Sequence, residues 1–172
     1  MKTLLLPVVF SILLPMTVSA DTSAAETVSC DSHFPTETQT IDSATIEAWA
    51  NQAAIKSFTL DHASMDNQLV QLKACYTDQG WQGFNDAMSK SGNLQAIKSS
   101  QLTMTSQLEG KTSVSVVKDN EWKVSLPLNV TYANKDQTIV QPLTIDLLIN
   151  RKASGDLGIV QLIATPAKTE NK

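Results

Sequence analysis

Apolar and polar residues alternate through the second half of the chain, which is the pattern of half-buried β-strands. From Trp122 to Tyr132, every second residue is large and apolar, and the residues between them are polar or proline. Shorter runs of the same kind lie at residues 102–108, 114–116, 139–149 and 157–165. Turns that contain Gly, Asn or Asp separate the runs. The pattern therefore predicts five antiparallel strands.

Two of these runs carry more specific predictions. The fourth run predicts five residues that face the core, namely Ile139, Leu143, Ile145, Leu147 and Ile149. In the third run, Pro127 has no N–H group to donate to a sheet ladder. Pro127 therefore predicts an edge position or a β-bulge.

Apolar residues in the first half of the chain recur at helical rather than strand spacing. A first helix is predicted over residues 42–58, and a second over residues 64–76. A third helix begins at Thr77 or Asp78, whose side chains can cap it, and ends at residues 91–93.

The start of the third predicted helix is rich in aromatic residues, with the stretch YTDQGWQGF at residues 76–84. Trp81 and Phe84 share one face at helical spacing. Gly80 and Gly83 would let backbone and rings approach closely, because glycine has no Cβ. We therefore predict that the rings pack in the core of a helix junction. A ligand pocket and a partner surface are the alternatives.

Helices followed by an antiparallel meander are the element order of an α+β protein. The predicted strands have one apolar face, and the N-terminal helices are the only elements available to cover it. The expected architecture is a curved antiparallel sheet with the N-terminal helices packed on it, which is the cone of the NTF2-like folds. We place this domain at residues 41–166.

The two ends of the chain differ from this domain. Residues 1–20 combine a basic start, a short apolar run and small residues at the end, which is the pattern of a secretory signal peptide. An uncleaved membrane anchor is the alternative, although Pro7 and Pro15 interrupt the run. Residues 21–40 predict a flexible N-terminal arm, and residues 167–172 a charged tail. We expect an exported protein with no stable membrane span after cleavage.

The charge of the chain bears on its partners. It holds 13 Lys and Arg residues against 17 Asp and Glu residues, a net charge of −4. Arg151 is the only arginine, and the sequence contains no Lys/Arg cluster. Binding to a phosphate backbone depends on such clusters. The composition therefore argues against nucleic acid as a direct partner.

Cys30 and Cys75 are the only cysteines. In an oxidising compartment we expect them to form a disulfide that ties the arm to the domain. Two buried free thiols are the alternative. A metal site is not indicated, because His33 and His62 lack a recognisable ligand spacing.

The sequence contains no evident catalytic constellation. A nucleophile needs a neighbouring base, and only His33 and His62 could supply an imidazole. No Gly-rich phosphate loop, Gly-x-Ser-x-Gly or His-Glu-x-x-His motif occurs. Tyr132 is predicted to face inward without an acidic partner, and Asp146 is predicted to face outward. We therefore predict that the protein is not an enzyme and uses no cofactor.

Three pieces of the chain form a recognisable set: Thr77-x-x-Gly80-Trp81-x-x-Phe84, Trp122-x-Val-x-x-Pro-Leu-x-Val and Gly158-Ile159-x-Gln161. With the sequence around them, from about Trp49 to Ala164, they resemble the DotI/IcmL family of type IVB secretion-system proteins. This family includes the TraM protein of certain conjugation systems. The resemblance implies an NTF2-like domain that serves as an assembly component and has no catalytic residues.

The chain departs from the main family member, an inner-membrane protein with an uncleaved transmembrane helix, because it begins with a cleavable-looking signal. We therefore expect a periplasmic paralogue or accessory subunit, with secretion-system subunits or copies of itself as partners. The candidate core or interface residues are Trp49, Trp81, Phe84, Trp122 and Tyr132. The alternative function is binding of a small apolar ligand inside the cone, with Trp122 and Tyr132 lining it.

Overall fold

The computed structural model of the protein describes residues 30, 34–35 and 40–167. The predicted signal peptide, most of the predicted arm and residues 168–172 of the predicted tail lie outside the described residues. In the described part, the helices precede the five longer strands of one antiparallel sheet, and a two-residue strand of the same sheet lies between the first two helices. The predicted α+β order is therefore confirmed.

Four α-helices lie in the first half of the domain: α1 Ser43–Ser57, α2 Met65–Leu72, α3 Asp78–Lys90 and α4 Asn93–Ser99. A 3-10 turn, Lys73–Cys75, extends α2. Asp42 caps α1, because its carboxylate accepts hydrogen bonds from the Thr45 hydroxyl at 2.7 Å and the Thr45 backbone N–H at 2.9 Å. Both bonds hold the pKa of Asp42 below its ordinary value. No helix among the described residues is long and apolar enough to cross a membrane.

The sheet contains six strands: β1 Leu60–Asp61, β2 Thr103–Leu108, β3 Ser113–Lys118, β4 Glu121–Ala133, β5 Thr138–Arg151 and β6 Leu157–Pro166. Their order is β1-β2-β4-β5-β6, and β3 also pairs with β4. β2 and β3 pair with successive parts of β4, with Leu108 opposite Leu128 and Ser113 opposite Ser125. β1 is too short to show alternation, so the sequence predicts only the other five strands.

Pro127 lies in the middle of β4, between the part that pairs with β2 and the part that pairs with β3, so the predicted edge position holds locally, on one side of the strand, although β4 as a whole is a central strand. It is opposite Thr144 of β5, and its carbonyl oxygen accepts a hydrogen bond from the Glu109 N–H at 3.0 Å. A strand residue points its nitrogen and its carbonyl oxygen toward the same neighbour. The proline nitrogen therefore faces the connection between β2 and β3, where the ladder is interrupted and no donor is needed.

Ile139 is 52% exposed, so its predicted inward position is wrong. The other four predicted inward residues of β5 are buried: Leu143, Ile145, Leu147 and Ile149. β6 pairs with β5 only from Leu143 onward, and the first residues of β5 extend beyond it in a hairpin with β4. Alternation shows which face of a strand a residue occupies, but not whether another element covers that face.

Helix α1 packs on the inner face of the sheet, against β2, β3 and β4. Its small residues Ala50, Ala53 and Ala54 are fully buried, so the helix lies close to the strands. The Ser106 hydroxyl of β2 donates a hydrogen bond to the Ile55 carbonyl oxygen at 3.0 Å, which ties the end of α1 to the sheet. Helix α3 packs on β6 instead.

Two described residues of the predicted flexible arm, Cys30 and Phe34, are held against the domain. Cys30 forms the predicted disulfide with Cys75, and both residues are buried. The Trp49 indole donates a hydrogen bond to the Cys30 carbonyl oxygen at 3.4 Å. Arg151 donates to the Phe34 carbonyl oxygen at 2.8 Å. Of the arm, Cys30 is therefore fixed beside α1 and Phe34 at the end of β5.

Candidate interaction surfaces

The junction between α3 and β6 begins at Thr77, the residue that caps α3. The Thr77 hydroxyl accepts a hydrogen bond from the Gly80 N–H at 3.1 Å, which satisfies one free N–H group of the first helical turn. The backbone N–H of Thr77 donates to the carbonyl oxygen of Ile159 on β6 at 3.0 Å. The same residue therefore starts the helix and fastens it to the sheet.

Two glycines permit the close approach at this junction. A methyl group at Gly80 would collide with the carbonyl oxygen of Ile159. A methyl group at Gly158 would lie 3.1 Å from the backbone nitrogen of Thr77. The space beside Gly83 is open, so the role in close approach predicted for Gly83 is wrong. Of the two glycines in α3, only Gly80, which faces β6, is required by the packing.

Three aromatic rings cluster where α3 begins. The ring centroids of Tyr76 and Phe84 are 5.0 Å apart, and Trp81 lies 5.8 Å from Tyr76 and 5.9 Å from Phe84. Tyr76 and Phe84 are buried, whereas Trp81 is half-buried. Phe84 therefore belongs to the core, and Trp81 lies at its boundary with part of the side chain in solvent.

The Tyr76 hydroxyl is buried beside α1 and makes a 2.8 Å hydrogen bond with Ser57. The Ser57 hydroxyl donates its own proton to the Ala53 carbonyl oxygen at 2.8 Å, so Tyr76 is the donor to Ser57. Burial raises the pKa of Tyr76 above its ordinary value. The phenol therefore stays neutral at physiological pH and fixes α1 to the aromatic cluster.

The two rings that were expected to line a ligand cavity have different surroundings. Trp122 is buried in the apolar core, whereas Tyr132 is half-buried near the β4–β5 hairpin, where burial raises the pKa of its hydroxyl. A cleft of about 680 Å³ beside this hairpin is lined by His62, residues 99–101 and residues 134–137, and not by the two rings. Its polar lining does not suit a small apolar ligand.

His62 lines this cleft, with Nδ1 3.9 Å from a carboxylate oxygen of Asp61. The Asp61 carboxylate accepts hydrogen bonds from the Ala63 N–H and the Thr103 hydroxyl, each at 2.9 Å, and both lower its pKa. Asp61 therefore holds the turn before α2. Among the described residues, no group of three or more His, Cys, Asp or Glu side chains could hold a metal ion. His33 lies outside the described residues.

Large apolar side chains are exposed at several places on the described surface: Val70, Val116, Val117, Ile139, Val140 and Ile163. Apart from Val70 on α2, they lie on β3, β5 and β6. Sequence reasoning did not identify them as a set, because alternation carries no information about cover from a distant element. Exposed apolar residues on these strands are suited to contact with a partner protein.

A protein-family model described as "Type-IV b secretion system, inner-membrane complex component", for DotI and IcmL, matches residues 10–166. The match includes all the elements described above. No curated protein matches the chain.

Three solved structures share this fold. The periplasmic domain of DotI is 27% identical, with a TM-score of 0.70, over 76% of this chain and 99% of that domain. An IcmL-like type IV secretion system protein from Legionella pneumophila is 19% identical, with a TM-score of 0.73, over 77% of this chain and 98% of its own. A periplasmic fragment of TraM is 22% identical, with a TM-score of 0.66, over 74% of this chain and 100% of the fragment. These similarities confirm the predicted NTF2-like fold.

Proposed function

Since this chain belongs to the DotI/IcmL family of type IVB secretion-system components, we propose that it is a non-catalytic interaction domain of such a system. In this role it packs against other secretion-system subunits or against copies of itself. The observation that carries the proposal is the position of the residues that resemble the family. Thr77, Gly80 and Phe84 build the α3–β6 junction, and Trp122 lies in the core, so these residues stabilise the fold.

The surroundings of the titratable side chains support a non-catalytic role. The Asp61 carboxylate is engaged by a turn N–H and a strand hydroxyl, and the Tyr76 phenol by Ser57. A catalytic acid or base must lie within hydrogen-bonding distance of the substrate group to which it gives, or from which it takes, a proton. Both groups instead bond to their own domain, and the exposed surface offers apolar strand residues that suit a protein partner.

We further propose that the domain works in the periplasm as an accessory or paralogous subunit released by signal cleavage. A buried disulfide suits an oxidising compartment, and the DotI structure it resembles is a periplasmic domain. Mass spectrometry of the periplasmic fraction should find an N-terminus at Asp21. An intact Met1 in the membrane fraction would instead indicate an anchored subunit.

Affinity purification from the cell envelope in mild detergent tests the interaction role, with the full chain as bait. We expect secretion-system subunits to be recovered with it. A bait that lacks residues 2–20 and stays in the cytoplasm is the control for non-specific capture. Recovery of the bait alone, carrying a small molecule in native mass spectrometry, would contradict the proposal and favour ligand binding.

A further inference from the structure

Three strands of the described sheet, β1, β3 and β6, have no neighbouring strand along one side, and β2 and β5 are unpaired on one side where they extend beyond β1 and β6. β1 is only two residues long, and β3 ends in an irregularity beside Lys118. Short length, bulges and charges discourage an edge from pairing with another chain. The outer edge of β6 at residues 161–166, here called the free β6 edge, is uncharged and largely exposed. It lacks the protection that the other two edges have.

One hydrogen bond fixes which backbone groups of the free β6 edge point outward. The Ala167 N–H donates to the Pro142 carbonyl oxygen of β5 at 2.9 Å. Successive residues of a strand point their N–H and C=O groups to alternate sides. Counting back from Ala167, Leu162 and Ala164 therefore direct their N–H and C=O groups away from β5, where the described part offers them no strand.

We propose that the free β6 edge pairs antiparallel with the same edge of a second copy of this chain, around a two-fold axis at Ile163. In this register Leu162 of each chain pairs with Ala164 of the other, so the outward N–H and C=O groups of both residues are satisfied. Ile163 meets its own counterpart in a non-hydrogen-bonded pair, where side chains come closest. The Ile163 side chain is 46% exposed in the single chain and becomes covered in the pair.

A second copy is the partner that suits this edge, because two-fold pairing sets a residue near the axis against its own counterpart. A charge there would face an equal charge, and residues 157–167 contain none. The edge is short, so the association is weak and depends on concentration or on attachment to a larger assembly. The inference rests on the proposed interaction role, and it names a second copy of the chain as the partner at the free β6 edge.

Analytical ultracentrifugation of the exported chain, in a concentration series up to about 1 mM, tests the pairing. We expect a reversible dimer at the upper end of the series. Ile163→Lys and Ile163→Glu should each remove the dimer, because like charges then meet at the axis, and an equimolar mixture should restore a heterodimer. Val70→Lys changes an exposed valine on α2 and should leave dimerisation unchanged, so it is the matched control.

Ala164→Pro tests the backbone pairing separately from the side chains. The Ala164 N–H points outward, so its loss leaves the β5–β6 ladder intact and should weaken dimerisation by at least about tenfold with the fold retained. A wild type that stays monomeric throughout the series, or a dimer that persists in both Ile163→Lys and Ala164→Pro, would overturn the proposal. Recovery of secretion-system subunits does not require this edge, so the failure of pairing and the failure of the proposed function give different results.

Discussion

The two halves of β6 differ in how their outer edge is used. In the first half, Thr77 donates to Ile159, and Gly80 and Gly158 lack the side chains that would hold α3 away. In the second half, residues 161–166 have no neighbouring strand on that side within the described part. The first half of β6, here called the closed half, is in direct contact with the backbone of α3. Such contact requires glycine, so the closed half can be recognised in the sequence by its glycines. The second half, here called the open half, is marked in the sequence only by the absence of charged residues.

Removal of the disulfide should have the largest effect on the closed half, because Cys75 precedes Tyr76 at the foot of the junction. The double variant Cys30→Ser/Cys75→Ser should lower the unfolding free energy by about 4 kcal/mol, since the bond closes a long loop of the unfolded chain. The two cysteines are 45 positions apart. Urea unfolding monitored by circular dichroism measures the change. Reductant should destabilise the wild type and leave the double variant unaffected; equal sensitivity of both would contradict the prediction.

Two isoleucines of the same strand compare the halves directly. Ile159 is fully buried, whereas Ile163 is 46% exposed. Ile159→Ala should lower the unfolding free energy by about 3 kcal/mol, because it leaves a cavity beneath α3. Ile163→Ala should cost less than about 1 kcal/mol. Both are measured by urea unfolding at low protein concentration, where the chain is monomeric, and equal losses would show that the open half is covered.

Two glycines of α3 compare a closed contact with an open one. Gly80→Ala should destabilise the domain by about 2–3 kcal/mol, because the methyl group meets the Ile159 carbonyl oxygen and the helix must move. Gly83→Ala has open space and should stabilise the domain by up to about 1 kcal/mol, since alanine favours the helix. Thermal unfolding of the two variants gives the sign of each effect. Similar melting temperatures would contradict the proposed junction.

The signals that predicted this fold are local. A threonine cap at Thr77, the glycine at Gly80 and strict alternation along β4 each act over a few residues, so the sequence alone predicts the helices, strands and α+β order. The wrong predictions depend on distant elements. Ile139 is exposed because β6 does not extend along that part of β5, and Gly83 has open space because no other element comes close to it. The exposed strand surface of the candidate site was missed for the same reason.

Trp81 gives the smallest expected effect on stability and separates packing from binding. Its ring packs against Tyr76 and Phe84 but stays half-buried, so Trp81→Ala should lower the unfolding free energy by about 1–2 kcal/mol, less than Phe84→Ala at about 3 kcal/mol. Phe84 is 7% exposed and serves as the matched control for packing alone.

A half-exposed tryptophan is also a typical centre of a protein interface. If Trp81 contacts a secretion-system subunit, Trp81→Ala should lose that subunit in the affinity experiment while the less stable Phe84→Ala variant retains it. Loss of the subunit in both variants would assign the effect to stability, and retention in both would exclude Trp81 from the interface.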